Sequence, residues 1–220
     1  MKSWVILMSE YFGIDISSFN QVTNYDLIAK EQDFVFIRAG GADNKTPYGF
    51  YKDRKFEEYY AQLSKRFVPL GAYYLAAKKF LTVEDGRIQA QNFIGLIRGK
   101  KFTMPIVLDM EVPQAGNQKE VTNASVAFLE TLESHGYYAM IYASDISGFI
   151  ERLDLSRLAR FDKWVARYGT TPKNAVPYGI WQSSSKGIVP GINGNVDLDR
   201  TFNDYPDIIT KARLNHLEGR

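Results

Sequence analysis

The sequence predicts an α/β fold, an irregular TIM-like barrel of about five βα units followed by about three plain β-strands. Short β-rich runs alternate with helical patterns over the first two thirds of the 220 residues. After Phe161 the strand-like runs are separated by Gly, Pro, Asn and Ser in place of helices. Because right-handed βα crossovers favour closure of a parallel sheet, we expect one closed domain.

The predicted strands are short apolar runs bounded by turn residues. The first five would each lead into a helical connection, and the last three would follow one another as plain strands. In chain order the eight runs are 12–15, 34–38, 68–74, 105–109, 137–142, 163–166, 178–182 and 195–198.

Three helices have signals at their ends. Asp53 is placed to cap an apolar stripe over 56–67, and Thr82 with Asp85 three residues later resembles a capping box. A third stripe over 124–135 ends at Gly136, a residue suited to the left-handed position that terminates helices. We divide the chain into an N-terminal extension (1–10), a barrel (11–205) and a tail, linker or expression remnant (206–220).

The composition excludes several classes of protein. The net charge of +2 is too balanced for nucleic acid as the main partner. No apolar run approaches the roughly 20 residues of a membrane helix, so we expect no membrane insertion. The N-terminus lacks a secretory apolar region, so we expect synthesis in the cytoplasm without a signal peptide. The absence of cysteine excludes thiolate metal sites and cysteine nucleophiles.

The most informative segment is an apolar strand, 105–111, that ends in two acids two positions apart, Asp109 and Glu111. The period of two places both on one face, and barrel enzymes gather functional groups at such strand ends. Neighbouring carboxylates oppose each other's ionisation, so one can hold a proton and act as a general acid. Spacing alone leaves a solvated acid pair equally open.

Other predicted strand ends carry polar residues in the same position. Asp15, Arg38 and Asp197 each follow an apolar run and would share one mouth with the acid pair. Aromatic residues occupy comparable places, where they would offer flat apolar faces to sugar rings or simply fill the core. They are Tyr73, Tyr142, Trp164, Tyr168 and Trp181.

Competing chemistries find little support. His135 and His216 are the only histidines and neither has a ligand partner nearby, so we expect no metal site. A Gly-x-Ser-x-Gly elbow, a P-loop and a Gly-x-Gly-x-x-Gly fingerprint are all missing, and we expect no organic cofactor.

From about Phe12 to Phe202 the sequence resembles glycoside hydrolase family 25, the muramidases of phage endolysins and bacterial autolysins. The opening 13–18 (GIDISS) and the second run 33–39 (DFVFIRA) resemble the first two strands of that family. Asp109-Met110-Glu111 matches its catalytic Asp-x-Glu. Later matches, in the family's order, are 141–142 (IY), 164–168 (WVARY), 180–182 (IWQ) and 194–199 (GNVDLD), where Asp199 replaces the usual asparagine.

The resemblance implies a lysozyme that cuts the β-1,4 bond between N-acetylmuramic acid and N-acetylglucosamine in peptidoglycan glycan strands. Glu111 would be the general acid and Asp109 would position the acetamido group, while Asp15 and Asp197 would complete the acidic cleft. We expect a phage endolysin catalytic domain that reaches the cell wall after release, with any wall-binding module lying outside this chain.

Two alternatives remain open at this stage. One is a non-catalytic carbohydrate-binding barrel, and the other is a chitinase-like glycosidase acting on N-acetylglucosamine polymers. The attacking group is also open: either Asp15 or Asp197 activates water, or the acetamido oxygen of the substrate attacks while Asp109 orients it.

Overall fold

The structure is a computed structural model that describes residues 10–46, 48–111, 116–172 and 177–217. Most of the expected N-terminal extension, residues 1–9, lies outside the described residues. The strands are β1 (Tyr11–Ile16), β2 (Gln21–Val22), β3 (Phe34–Ala42), β4 (Phe50–Lys52), β5 (Leu70–Leu75), β6 (Ile106–Asp109), β7 (Ala139–Ser144), β8 (Asp162–Ala166), β9 (Ile180–Gly187), β10 (Ile192–Asn193) and β11 (Val196–Thr201).

Five α-helices and one π-helical segment are found in the described ranges. They are α1 (Tyr25–Glu31), α2 (Phe56–Ser64), α3 (Val83–Ile97), α4 (Gln118–Ser134), α5 (Tyr205–Lys211) and the π-helical segment Asp145–Ile150. The capping box of Thr82 and Asp85 starts α3 as predicted. A second box, formed by Asn117 and Glu120, starts α4.

Eight strands close into a barrel in the order β1-β11-β9-β8-β7-β6-β5-β3, with β3 returning to pair with β1. The neighbours from β1 through β9 are parallel, whereas β11 runs antiparallel to both β9 and β1. The predicted irregular α/β barrel is confirmed. The fifth connection differs in detail, because a π-helical segment and turns, with no α-helix, join β7 to β8.

The core has two layers because side chains alternate along each strand. Val35, Ile37 and Leu108 belong to an outer layer that packs under the helices. Phe36 and Trp164 belong to the layer inside the barrel, with ring centroids 4.6 Å apart. This interior packing closes the barrel below its mouth and leaves the carboxyl ends of the strands open.

The segment after residue 205 differs from the expected tail. Pro206 lies in the first turn of α5, whose Tyr205 and Ile209 are buried against the barrel interior. Beyond the helix, the amide of Asn215 donates to the carbonyl oxygens of Phe102 and Met104, at 3.0 Å each. The packed part of the chain therefore extends past residue 205, as far as residue 215 or beyond.

Candidate active site

A cleft of about 290 Å³ opens at the carboxyl ends of the barrel strands. The structure brings all of the predicted site residues except Trp181 to this cleft. Those that line it are Asp15, Arg38, Tyr73, Asp109, Glu111, Tyr142, Trp164, Tyr168 and Asp197. Ser17, Phe19, Asn20 and Gln182 also line it and were not predicted from the sequence.

The acid pair lies at the end of β6. Asp109 is buried, whereas the Glu111 side chain is exposed at the mouth. The Glu111 backbone N–H donates to Asp109 Oδ1 at 3.1 Å, and this bond holds the backbone between the two acids in one conformation. One acid therefore sits inside the cleft and the other at its opening, both on the same strand end.

Both acids of the pair hold their protons more strongly than free side chains. Burial raises the pKa of Asp109 well above its ordinary value, and the negative charge of Glu111 adds to the increase. Loss of water around the Glu111 carboxyl raises its pKa as well, although the positive charge of Arg38 opposes this. Because the two acids lie side by side, each proton that leaves belongs to the pair, and the pair holds its protons to higher pH than isolated side chains would.

A hydrogen-bond network anchors the acid on β1. Gln182 Nε2 donates to Asp15 Oδ2 at 2.7 Å, and the hydroxyl groups of Tyr142 and Tyr168 donate to Gln182 Oε1 at 2.8 and 2.9 Å. Burial raises the pKa of Asp15 well above its ordinary value, and the charge of Asp197 adds to this. Gln182 thus orients Asp15 and links it to two of the predicted aromatic residues.

Barrel closure brings two distant acids together. Asp15 and Asp197 are direct partners across the antiparallel pair β1–β11. Burial and, to a smaller extent, the negative charge of Glu111 together raise the pKa of Asp197 to about 6. Asp15, Asp197 and the acid pair thus give the mouth a concentration of carboxyl groups.

Arg38, the cation of the cleft, is held by Asp53, a residue that the sequence predicted to cap a helix. Its guanidinium forms an ion pair with Asp53 at 2.7 Å and lies 4.9 Å from the ring centroid of Phe19. Asp53 is buried and also accepts from the backbone N–H of Ser18 and of Lys55. Burial alone would raise the pKa of Asp53, but these bonds outweigh it and lower that pKa.

The sequence predicted Asp53 as the cap of α2, and this prediction is wrong. The helix begins at Phe56 after Lys55, and Asp53 instead holds Arg38 in place. Trp181 also differs from expectation, since its indole N–H donates to the carbonyl oxygen of Arg167 and Arg200 packs over its ring. Its neighbour Gln182 faces the cleft because successive strand residues point to opposite faces.

The described part of the chain contains no group of three or more His, Cys, Asp or Glu side chains placed to hold a metal ion. Its helices are too short or too polar for any of them to cross a membrane. What the geometry provides is a group of carboxyl groups with raised pKa values, suited to donate or accept protons, in a cleft that also offers aromatic and amide contacts.

The sequence model of Glycosyl hydrolases family 25 matches residues 14–192. The chain belongs to this family. The family expected from the Asp109-x-Glu111 motif and the order of the strands is thereby confirmed.

Two solved structures share the fold of this family member. The CTP1L endolysin is 25% identical with a TM-score of 0.77, covering 91% of this chain and 70% of its own. The bacterial lysozyme of Streptomyces coelicolor is 21% identical with a TM-score of 0.71, covering 93% and 97%. The autolytic lysozyme of Clostridium acetobutylicum is 24% identical over 195 residues, 85% of this chain but only 54% of that protein. The chain thus spans about half of that relative.

Proposed function

We propose that this member of family 25 is a β-1,4-N-acetylmuramidase that cleaves peptidoglycan glycan strands on the reducing side of N-acetylmuramic acid. The observation that carries the proposal is the strand-end pair Asp109 and Glu111, whose pKa values are raised in an open cleft. Relatives named autolytic lysozyme and Lysozyme M1 support the same substrate.

In this proposal Glu111 donates the proton to the departing glycosidic oxygen. Its side chain is exposed at the mouth, where a bound polymer reaches it without passing the barrel interior. Substrate that covers the carboxyl group removes further water and raises its pKa again. Asp109, buried beside it, keeps a second carboxyl group within the same cleft.

Two routes exist for attack at the anomeric carbon. Asp109 and Glu111 lie on one face of one strand end, so they are poorly placed to flank the sugar from opposite sides. We favour attack by the acetamido oxygen of the substrate, oriented by Asp109. In the other route Asp15 or Asp197, which belong to the neighbouring strands β1 and β11, activates a water molecule.

The two routes differ in the first product. Acetamido attack followed by hydrolysis retains configuration and gives the β-anomer, whereas a water activated by Asp15 or Asp197 inverts it. Proton NMR during early turnover measures this, and a thiazoline mimic of the cyclic intermediate should inhibit only the first route. If the α-anomer forms first, the acetamido route is wrong.

The decisive test of the function is digestion of purified peptidoglycan, followed by borohydride reduction and mass spectrometry of the fragments. We expect reduced N-acetylmuramic acid at the new ends, and no such ends with Glu111→Gln. New N-acetylglucosamine ends or freed peptides would contradict the proposal. A parallel digestion of chitin identifies a chitinase-like enzyme, and binding to the wall without new ends identifies a non-catalytic barrel.

We further propose that the chain works as the catalytic part of an endolysin that is made in the cytoplasm and acts on the wall after release. The similarity to the CTP1L endolysin supports this proposal. A wall-binding module would then belong to another segment or another protein. Sedimentation with purified walls tests this point, since the chain alone should bind weakly and still cut.

A further inference from the structure

A buried carboxyl group lies beside Asp15 but does not line the cleft. It belongs to Asp199 on β11, whose direct strand partners are Gly13 on β1 and Gln182 on β9. The Asp199 side chain is only 2% exposed, and its Oδ1 accepts the indole N–H of Trp164 at 2.9 Å. Its Oδ2 is also buried and accepts no hydrogen bond from any donor in the described residues. The mechanism described above does not use this group.

The carboxyl of Asp15 also lies within hydrogen-bonding reach of Asp199, since Asp199 pairs with Gly13, two residues before Asp15 on β1. Two ionised carboxylates only accept hydrogen bonds, so they make such a contact only when one of them carries a proton. Asp15 already accepts from Gln182. A proton between the two acids would give both Asp199 and Asp15 a partner at the contact.

The described side chains named here around Asp199 carry no positive charge that could replace this proton. Asp197 lies on the same strand and is acidic, while Trp164 on β8 and Gln182 on β9 are neutral. The cation of the cleft, Arg38, is paired with Asp53. Two buried negative charges in contact, without a cation, are strongly unfavourable.

We propose that Asp199 is a positioning residue, whose neutral carboxyl group donates a hydrogen bond to the Asp15 carboxylate, keeps its own proton, and so holds Asp15 ionised and oriented toward the cleft. The inference rests on the proposed function, because it concerns one of the acids assigned to that cleft. Burial and the charge of Asp15 both raise the pKa of Asp199 well above its ordinary value, in agreement with a neutral group.

The substitution Asp199→Asn imitates this arrangement without a titratable proton. The amide oxygen can accept from Trp164 as Oδ1 does, and the amide nitrogen takes the place of Oδ2 and donates to Asp15. Asp199→Leu removes both the acceptor and the donor. Asp207→Asn is the control, since Asp207 is exposed on α5 and pairs only with Lys211 among the contacts of its side chain.

The first measurement is the kcat/KM for soluble peptidoglycan fragments. Asp199→Asn should remain within about fivefold of the wild type, because it replaces one hydrogen bond by another. Asp199→Leu should lose roughly tenfold or more, since it leaves the Trp164 N–H and Asp15 without partners. Equal losses of kcat/KM in Asp199→Asn and Asp199→Leu would overturn the proposal, because a neutral hydrogen-bond donor at position 199 would then not preserve the activity.

The second measurement is independent of turnover and of the folding of the Leu variant. NMR of protein labelled with ¹³C at aspartate carboxyl groups should show a protonated carboxyl at pH 7 in the wild type that disappears in Asp199→Asn and stays in Asp207→Asn. The same Asn variant should show Asp15 ionised at that pH. An ionised Asp199 at pH 7 in the wild type would overturn the proposal.

Thermal stability provides a third readout with a defined sign. The unfolded chain ionises Asp199 near the ordinary pKa of 3.8, whereas the folded chain keeps the proton, so this group lowers stability as pH rises above that value. The Tm of Asp199→Asn should therefore fall less steeply from pH 5 to pH 8 than that of the wild type or Asp207→Asn. Parallel Tm curves would contradict the inference. If no variant cuts the wall, the proposed function fails while NMR and Tm still decide the state of Asp199.

Discussion

Glu111→Gln is the most direct perturbation of the proposed chemistry. The amide has the size of the carboxyl group but has no acidic proton to donate. Because the Glu111 side chain is exposed and the bond to Asp109 comes from its backbone N–H, the change should alter stability by less than about 0.5 kcal/mol. A positioned general acid contributes about 10²–10⁴-fold, so we expect kcat to fall by that factor, equivalent to about 2.7–5.4 kcal/mol.

The assay counts new reducing ends released from purified peptidoglycan, with a thermal melt of each protein beside it. Glu31→Gln is the matched control, since Glu31 is an exposed glutamate at the end of α1, away from the cleft. The control should keep the rate of the wild type. If Glu111→Gln folds normally and cuts at a rate close to the wild type, Glu111 is not the acid, and the reasoning would be refuted in favour of Asp109.

Asp109→Asn should lower kcat and move the alkaline limb of the pH profile to lower pH, because the variant loses the repulsion between the two acids, which raises the pKa at which the pair gives up its last proton; an unmoved limb in kcat against pH would deny the coupling. Chelators should leave the rate unchanged, and a loss restored by added zinc would reverse this view. Tyr168→Ala should raise KM for wall fragments, because Tyr168 lines the cleft. Trp181→Ala should lower Tm and leave KM unchanged, because the Trp181 indole binds the carbonyl oxygen of Arg167 outside the cleft. A raised KM in Trp181→Ala would place Trp181 in the binding surface.

The barrel could be predicted from sequence because its strands are local patterns. Each of the eight barrel strands overlaps one of the predicted runs, although several ends differ by two residues or more, and the capping signal of Thr82 and Asp85 is contained within four residues. Short elements were missed where such signals are weak. Helix α1 has seven residues of which only Ile28 is buried, so it presents almost no apolar stripe. Helix α5 was assigned to the tail for the same reason, since only Tyr205 and Ile209 are buried.

The sequence predicted those residues of the candidate site that lie at strand ends, but not the contacts that hold them in place. Asp109 and Glu111 are visible because they share one strand, but the partner of Arg38 depends on where the chain after β4 packs. Asp53 precedes an amphipathic stripe and therefore has the sequence signature of a helix cap. Its burial against Arg38 is a tertiary contact, and no spacing in the sequence records it.

Which face of a strand meets the cleft is likewise decided by register. The pairing of β9 with β11 shifts between Val196 and Leu198 and again between Leu198 and Asp199, so alternation counted along either strand does not give the facing partner. As a result Gln182 lies opposite Asp199 and reaches Asp15, while the more conspicuous Trp181 points away. Gln182 lies in the segment 180–182 that resembles the family, but no local pattern shows that its amide accepts from two tyrosines and donates to an acid. This role becomes recognisable only when closure of the barrel places β9 beside β11, and β11 beside β1.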